Sequence, residues 1–491
     1  MSLSIQLNNL SFGSPAAERD NDLIDCFVSI NSFTNIKQNG RSIVLGNRGS
    51  GKSALFRKLK QEEEEKGNLV ISLAPEEYSY EMLCKIMTKE NAGAWAKYGA
   101  YAAAWKYLIY VLIMKQVISK GARLKTGSAA KIYTYLRDNQ DTVESNPIGV
   151  LISYLKRLEG IKLGNFEASL KVRQLQNLYK LEEISALIPE LENLCHKMKV
   201  YVLVDELDKG WDNSEDAKAF VAGLFQAVVS INQHSKNIRI LISLRKELYD
   251  NIPELYEDAQ KVRDLIEIIE WEEPDLLELI TKRITKSMPE TNKLSDEKKW
   301  NAVFAETLDY RKTKSFNYII DRSLYRPREV MQFCNSIRDK AIEQQKTCPI
   351  DYEVIAESEY NYSEGRLKDI AAEYRFQYPG LLTVFETFRG YSYNFTREEI
   401  EEHILKIVCG QLSIDQGAER WCKDADPEFL IEALWKIGFL RAQAVGGLKA
   451  RRRSGSSYLG PHQISNLNLR GIQRFHVHPM FRSFLAMKES K

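Results

Sequence analysis

A glycine-rich octet, Gly46-Asn47-Arg48-Gly49-Ser50-Gly51-Lys52-Ser53, lies between a short apolar run, Ile43-Val44-Leu45, and a stretch with helical spacing. It satisfies G-x-x-x-x-G-K-[ST] at every fixed position. Glycines let the backbone curl so that successive N–H groups converge on phosphate oxygens, and the following helix adds its positive dipole end. A strand, loop and helix of this kind commit the surrounding chain to an α/β domain. Gly46, Asn47, Arg48, Gly49, Ser50 and Gly51 are expected to cradle the phosphates of ATP. Lys52 should reach the β- and γ-phosphates, and the Ser53 hydroxyl should ligate Mg²⁺.

A second stretch, Lys199 to Asp208 (KVYVLVDELD), is an apolar strand that ends in acids about 150 residues further on. Asp205 stands at its tip with Glu206 beside it. The resemblance of this stretch to P-loop ATPases of the additional-strand class implies that Asp205 orients Mg²⁺ and its water and that Glu206 takes a proton from the attacking water, with Asp208 as the fallback acid. The run Asn237 to Leu244 ends with Ser243 and Arg245 at its tip, where the same resemblance implies a polar or basic residue close to the γ-phosphate. Strands are predicted at about 42–46, 68–73, 199–204, 238–244 and 265–271. Their alternation with helices predicts a mostly parallel five-stranded sheet covered on both faces.

The 491 residues suggest about two to four domains. The reading is a P-loop domain over 1–272 with a large helical insertion at about 75–198, a helical lid over 273–348, a helical linker over 349–395 and a winged-helix-like domain over 396–491. Before the loop, Ala16 to Phe33 has helical spacing and should cover either a nucleotide base or merely the sheet. In the insertion, Trp95, Tyr98, Tyr101, Trp105, Tyr107 and Tyr110 read as one buried aromatic helix, and Ile161 to Val172 reads as a hairpin. The apolar run Tyr98 to Met114 is too short for a membrane span and Lys106 interrupts it, so no membrane partner is expected. The first twenty residues lack a basic-then-apolar pattern, and seven cysteines include no C-x-x-C pair. Both fit a reducing cytoplasm without structural zinc.

In the lid, Pro327 suits a first helical turn, with Arg326 and Arg328 flanking it. One of the two is expected to face the nucleotide, the alternative being exposed arginines at a helix end. The tail is lopsided in charge: Ala433 to Lys488 holds ten of the 69 basic residues and no acid, leaving 59 basic against 67 acidic residues elsewhere. Lys449, Arg451, Arg452 and Arg453 would lie on a wing and touch DNA phosphates; the competing idea is docking on an effector protein or on the acidic body of the same chain.

Together SIVLGNRGSGKSAL, YVLVDELD, ILISLR and YRPREVMQFCN resemble the additional-strand AAA+-type P-loop ATPases, with the closest likeness to the STAND and bacterial origin-recognition-like branch. The resemblance covers about residues 12–345 well and the tail loosely. It implies an ATP-binding and ATP-hydrolysing switch using ATP and Mg²⁺, with Lys52 and Ser53 in Walker A and Asp205 and Glu206 in Walker B. It makes Arg245 the arginine that reads the γ-phosphate, and Arg328, or Arg326, the lid arginine called sensor 2. By analogy it points to stress or antiviral defence, the alternative being an ATP-gated DNA-binding protein. The long insertion departs from the family pattern. No clear arginine finger stands out beyond Arg239, which leaves homo-oligomeric ring assembly open.

Overall fold

The computed structural model describes residues 7–38, 40–74, 94–119, 127–138, 181–209, 211, 213–252, 255, 263–309, 311–423, 425–444, 458–461, 463, 464 and 467–489. Packing divides the chain into two units. A sheet unit comprises Ser29–Asn47 and Gly51–Ile269; a second unit comprises Met1–Val28, Arg48–Ser50 and Glu270–Lys491.

The sheet unit is α/β. Its strands are β1 (Ile43–Gly46), β2 (Leu69–Leu73), β3 (Val200–Val204), β4 (Ile238–Arg245) and β5 (Ile266–Ile268). They form one parallel sheet in the order β2-β3-β4-β1-β5. Every residue of β1 and β3 is buried, as continuous apolar runs require in a sheet covered on both faces. β5 ends at Ile268 rather than at position 271, because Ile269 N–H makes the last ladder bond, to Leu45 O.

Helices α1 (Asn31–Gln38), α2 (Lys52–Glu65), α3 (Ala94–Ser119), α4 (Gly127–Asp138), α5 (Leu181–Leu194), α6 (Glu215–His234) and α7 (Lys246–Asp250) belong to this unit. The expected helix over Ala16 to Phe33 does not form. Two short turns, at Ala17–Arg19 and around 21–26, precede α1, which begins only at Asn31. The aromatic stretch is α3, with Tyr101, Trp105, Tyr107 and Tyr110 buried, and α3 packs along α6. The indole of Trp105 donates to Phe220 O at 3.1 Å. Ser214 caps α6 by accepting from Ala217 N–H, as a serine before an apolar run predisposes it to do. Among the described residues no helix is long and apolar enough to cross a membrane. The expected hairpin at 161–172 lies outside the described residues.

In the second unit, residues 7–28 lead to α8 (Glu273–Ser287), α9 (Asp296–Val303), α10 (Ser315–Ile320), α11 (Pro327–Glu343), α12 (Tyr352–Glu373) and α13 (Leu381–Glu386). A buried ion pair, Asp20 to Arg283 at 2.6 Å, fixes the N-terminal segment on α8. Arg338 donates to Leu10 O and Asn335 to Gly13 O, which fixes the same segment on α11. The tail runs β6 (Asn394–Thr396), α14 (Arg397–Val408), α15 (Gln416–Cys422), α16 (Pro427–Ile437), β7 (Leu440–Gln443), β8 (Tyr458–Leu459), β9 (Arg474–Val477) and α17 (Pro479–Arg482). Its strands form an antiparallel sheet in the order β6-β9-β7-β8.

Two stability outcomes follow from this packing. A Cβ at Gly223 on α6 would lie 2.6 Å from Tyr101 Cβ and 2.8 Å from Ala102 N on α3. Alanine gains about 1 kcal/mol of helix propensity there, but overpacking against backbone costs about 1–3 kcal/mol. Gly223→Ala should therefore lower the denaturant midpoint; an unchanged or higher midpoint would show that α3 and α6 separate freely. In the tail, burial holds the His403 imidazole down at about 4 from an ordinary 6.5, with Lys406 adding to the effect. The unfolded imidazole then binds more protons than the folded one between those values, so stability is lost as the pH falls from about 6.5 to about 4. The melting temperature should drop by several degrees across that window, and by less in His403→Gln.

Candidate functional site

The carboxyl edge of the parallel sheet gathers most of the residues picked out in the sequence. In register, Gly46 of β1 stands opposite Arg245 of β4, and Val44 opposite Ser243. Past Gly46 the chain turns through Gly49 and Gly51, both left-handed (φ 80° and 99°), before α2 begins at Lys52. Side chains with a Cβ rarely adopt that backbone, which is why these two positions are glycine.

The Lys52 ammonium donates to Gly46 O at 2.8 Å and to Asn47 O at 3.0 Å. Burial lowers its pKa; Glu247, Asp208 and Asp205 oppose the shift, and Arg245 adds to it. The lysine thus sits in a field of carboxylates on the same edge. Ser53 follows it as the second residue of α2.

Asp205 leaves β3 with its N–H bonded to Leu73 O. Its Oδ1 accepts from Glu206 N–H at 2.9 Å and from the Ser243 hydroxyl. Glu206 takes a left-handed backbone (φ 59°), uncommon for a residue with a side chain and worth about 1 kcal/mol or more of strain. Its carboxylate pairs with Lys209 at 2.7 Å. Arg245 is engaged by Asp208 and lies 3.6 Å from Glu247. The sequence reading had not picked out Glu247; it lies two residues past a strand end, where an acid carries no motif of its own.

Arg239 is not placed as a finger for a neighbouring subunit. Its guanidinium donates to Ile36 O and Arg41 O within its own unit, and burial lowers its pKa. Charge alone had suggested the role, and the two carbonyls are what use it.

The tip of the loop, Arg48–Ser50, groups with the second unit. Arg326 is buried; its Nη1 donates to Arg48 O at 3.3 Å and to both oxygens of Glu373, at 3.0 and 3.3 Å. Arg328 gives its backbone N–H to Gly49 O at 3.4 Å and its Nε–H to Pro15 O at 3.0 Å. Burial and the nearby Arg48 lower the Arg328 pKa, with Arg366 adding to the effect. The indole N–H of Trp271 donates to Ser50 O at 2.8 Å. The Ser50 hydroxyl is buried without a hydrogen-bond partner among the described residues. Trp271, Pro15 and Glu373 were not singled out from sequence: Trp271 merged with the apolar run before it, and the other two are distant in the chain.

In the tail, Lys449, Arg451, Arg452 and Arg453 lie outside the described residues. The rest of the basic run is divided. Arg441 is buried against Asp321 at 2.7 Å and His478, and Arg482 stacks on Tyr393 and donates to Val477 O. Arg470 and Arg474 are exposed. Among the described residues no group of three or more His, Cys, Asp or Glu is arranged to hold a metal by itself.

Residues 274–371 match the FunZ-associated C-terminal helical domain. The whole chain aligns with a putative transposon gamma-delta 80.3 kDa protein of Escherichia coli (strain K12), 24% identical over 517 residues that span 100% of this chain and 70% of that protein. Among solved structures, the ORC2 protein of Aeropyrum pernix, in ADPNP-ADP complexes, matches 92% of this chain and 89% of its own at 8% identity and a TM-score of 0.35. A likeness of that size is too low to transfer function.

Proposed function

We propose that this chain is an ATP-binding and ATP-hydrolysing switch whose nucleotide sits on the Gly46–Ser53 loop. The observation that carries the reading is the joint placement of that loop, Lys52, Asp205, Glu206 and Arg245 at one sheet edge. ATP with Mg²⁺ fits these residues. Gly49 and Gly51 free the loop backbone, Lys52 supplies a cation, and the buried Ser50 hydroxyl is an unused polar group on the loop. Ser53 and Asp205 would hold the Mg²⁺, which needs only one or two protein oxygens besides phosphate and water. The bound ion would neutralise charge that develops on the transferred phosphoryl group.

The chain's own residues divide the remaining work. Lys52 trades its two carbonyl partners for phosphate oxygens. Glu206 accepts a proton from water once its carboxylate leaves Lys209. Arg245 reads the γ-phosphate by exchanging Asp208 for it, two anions of similar geometry. Asp208, engaged by Arg245, is the alternative acid for that step. The loop tip is bonded to Arg326, Arg328 and Trp271, all within the second unit, and this contact of the loop with the helical residues supports the switch. Defence against stress or viruses remains an analogy drawn from the resemblance.

Lys52→Ala should abolish binding of labelled ATP while leaving the melting temperature near that of the parent. Glu206→Gln should still bind ATP but hydrolyse it about 100-fold more slowly or worse. If Lys52→Ala binds ATP as the parent does, the loop is not the nucleotide site; if Glu206→Gln turns over at the parental rate, another group is the base.

The secondary reading, an ATP-gated DNA-binding tail, is favoured by one observation. The order strand, three helices, three strands is that of a winged helix, and Arg470 and Arg474 are exposed near its last strand. Titration of duplex DNA at two salt concentrations, with and without ATP, should give affinity that falls steeply with salt. Absence of binding at low salt ends this reading and leaves the ATPase reading intact.

A further inference from the structure

Three consecutive carbonyls of the loop tip are each held by a different donor from the second unit. Arg48 O accepts from the Arg326 guanidinium at 3.3 Å, Gly49 O from the Arg328 backbone N–H at 3.4 Å, and Ser50 O from the Trp271 indole at 2.8 Å. A trans peptide is planar, and its C=O and N–H point in opposite directions. Fixing those three carbonyls therefore fixes the N–H groups of Gly49, Ser50 and Gly51, which face away from the donors. Successive N–H groups turned to one side form an anion-binding concavity. The donors are themselves anchored: Arg326 by Glu373 and Glu329, and Arg328 through Pro15 O. Arg326 is 5% exposed, and a guanidinium buried to that degree is held by its partners rather than by solvent.

We infer that Trp271, Arg326 and the start of α11 act as a carbonyl clamp that pre-orients the loop's N–H groups toward the phosphates of a bound nucleotide. They are positioning residues and need not touch the nucleotide. This inference rests on the reading of the loop as the ATP site. It also gives Arg326 and Arg328 a different role from that of lid arginines reading phosphate directly. Arg326 contributes through its side chain, whereas Arg328 contributes an N–H that side-chain substitution leaves in place. Without the clamp the tip samples other peptide orientations, and binding must first select the competent one.

The clamp should be visible in phosphate-dependent affinity. Trp271→Phe keeps an aromatic ring and loses the N–H; Trp271→His restores a ring donor. The full chain is titrated with ATP, ADP and adenosine, with melting temperature and ATP turnover recorded alongside. Trp271→Phe should weaken ATP and ADP about 10-fold, near 1.4 kcal/mol, and leave adenosine unchanged. Trp271→His should recover a large part of that loss. Trp271→Phe should raise the KM for ATP by at least as large a factor as it lowers kcat, because the clamp acts first on binding. Equal ATP affinity in folded Trp271→Phe and parent overturns the clamp, as does an equal loss for ATP and adenosine, which a merely structural role would give. If Trp271→Phe does not fold, Arg326→Gln combined with Glu373→Gln removes the hold on Arg48 together with its main carboxylate partner, while Glu329 keeps the Leu324 N–H. That variant must show the same phosphate-dependent loss, and parental affinity for ATP there overturns the clamp. A parent that binds no ATP brings down the ATP-site reading itself, and the clamp with it.

Discussion

A half-buried ammonium organises the carboxyl edge of the sheet. Lys52 costs desolvation energy where it stands, and the field of Glu247, Asp208 and Asp205 offsets part of that cost. Those acids are in turn balanced: Arg245 holds Asp208 and approaches Glu247, Lys209 holds Glu206, and the Ser243 hydroxyl and an amide hold Asp205. The three cations Lys52, Lys209 and Arg245 thus offset most of the charge of the four acids Asp205, Glu206, Asp208 and Glu247. The same pairing explains why Glu206 and Arg245 are held by side-chain partners rather than left loose, which limits unproductive geometry before a ligand arrives.

The parallel sheet was legible because its strands are buried on both faces and so read as unbroken apolar runs; β1, β3 and β4 fall within a residue of the sequence reading. The placement of Asp205 and Arg245 at strand ends was legible for a related reason, since an acid or arginine at the end of such a run has one place to go. The segment from Ala16 to Phe33 misled because its apolar residues are spaced as in a helix. What holds it is Asp20 on Arg283, 263 positions away, together with carbonyls bonded from α8 and α11. No local pattern records such a pairing.

The arginines show most clearly where sequence reading stops. Arg239 was a possible finger, Arg326 a candidate lid arginine, and Arg441 and Arg482 part of the basic tail. Each is spent on a carbonyl, a carboxylate or a ring within its own unit. A guanidinium has five donors in a fixed fork and is weakly hydrated, which suits it to such buried structural work. The acid-free run from Ala433 to Lys488 is therefore less basic at its surface than its composition suggests, because Asp321 from outside the run neutralises Arg441 and Tyr393 covers Arg482.

Trp271 and Arg326 reach the loop tip through different physics. The indole contact at 2.8 Å is a neutral bond to one carbonyl, and breaking it leaves one donor to be satisfied by water. The Arg326 contact is longer, at 3.3 Å, and the same nitrogen is shared with Glu373. The carboxylate thus orients the nitrogen that reaches Arg48 O. The two contacts are complementary: Trp271 holds Ser50 O by a short neutral bond, and Arg326 holds Arg48 O from a guanidinium that Glu373 keeps in position.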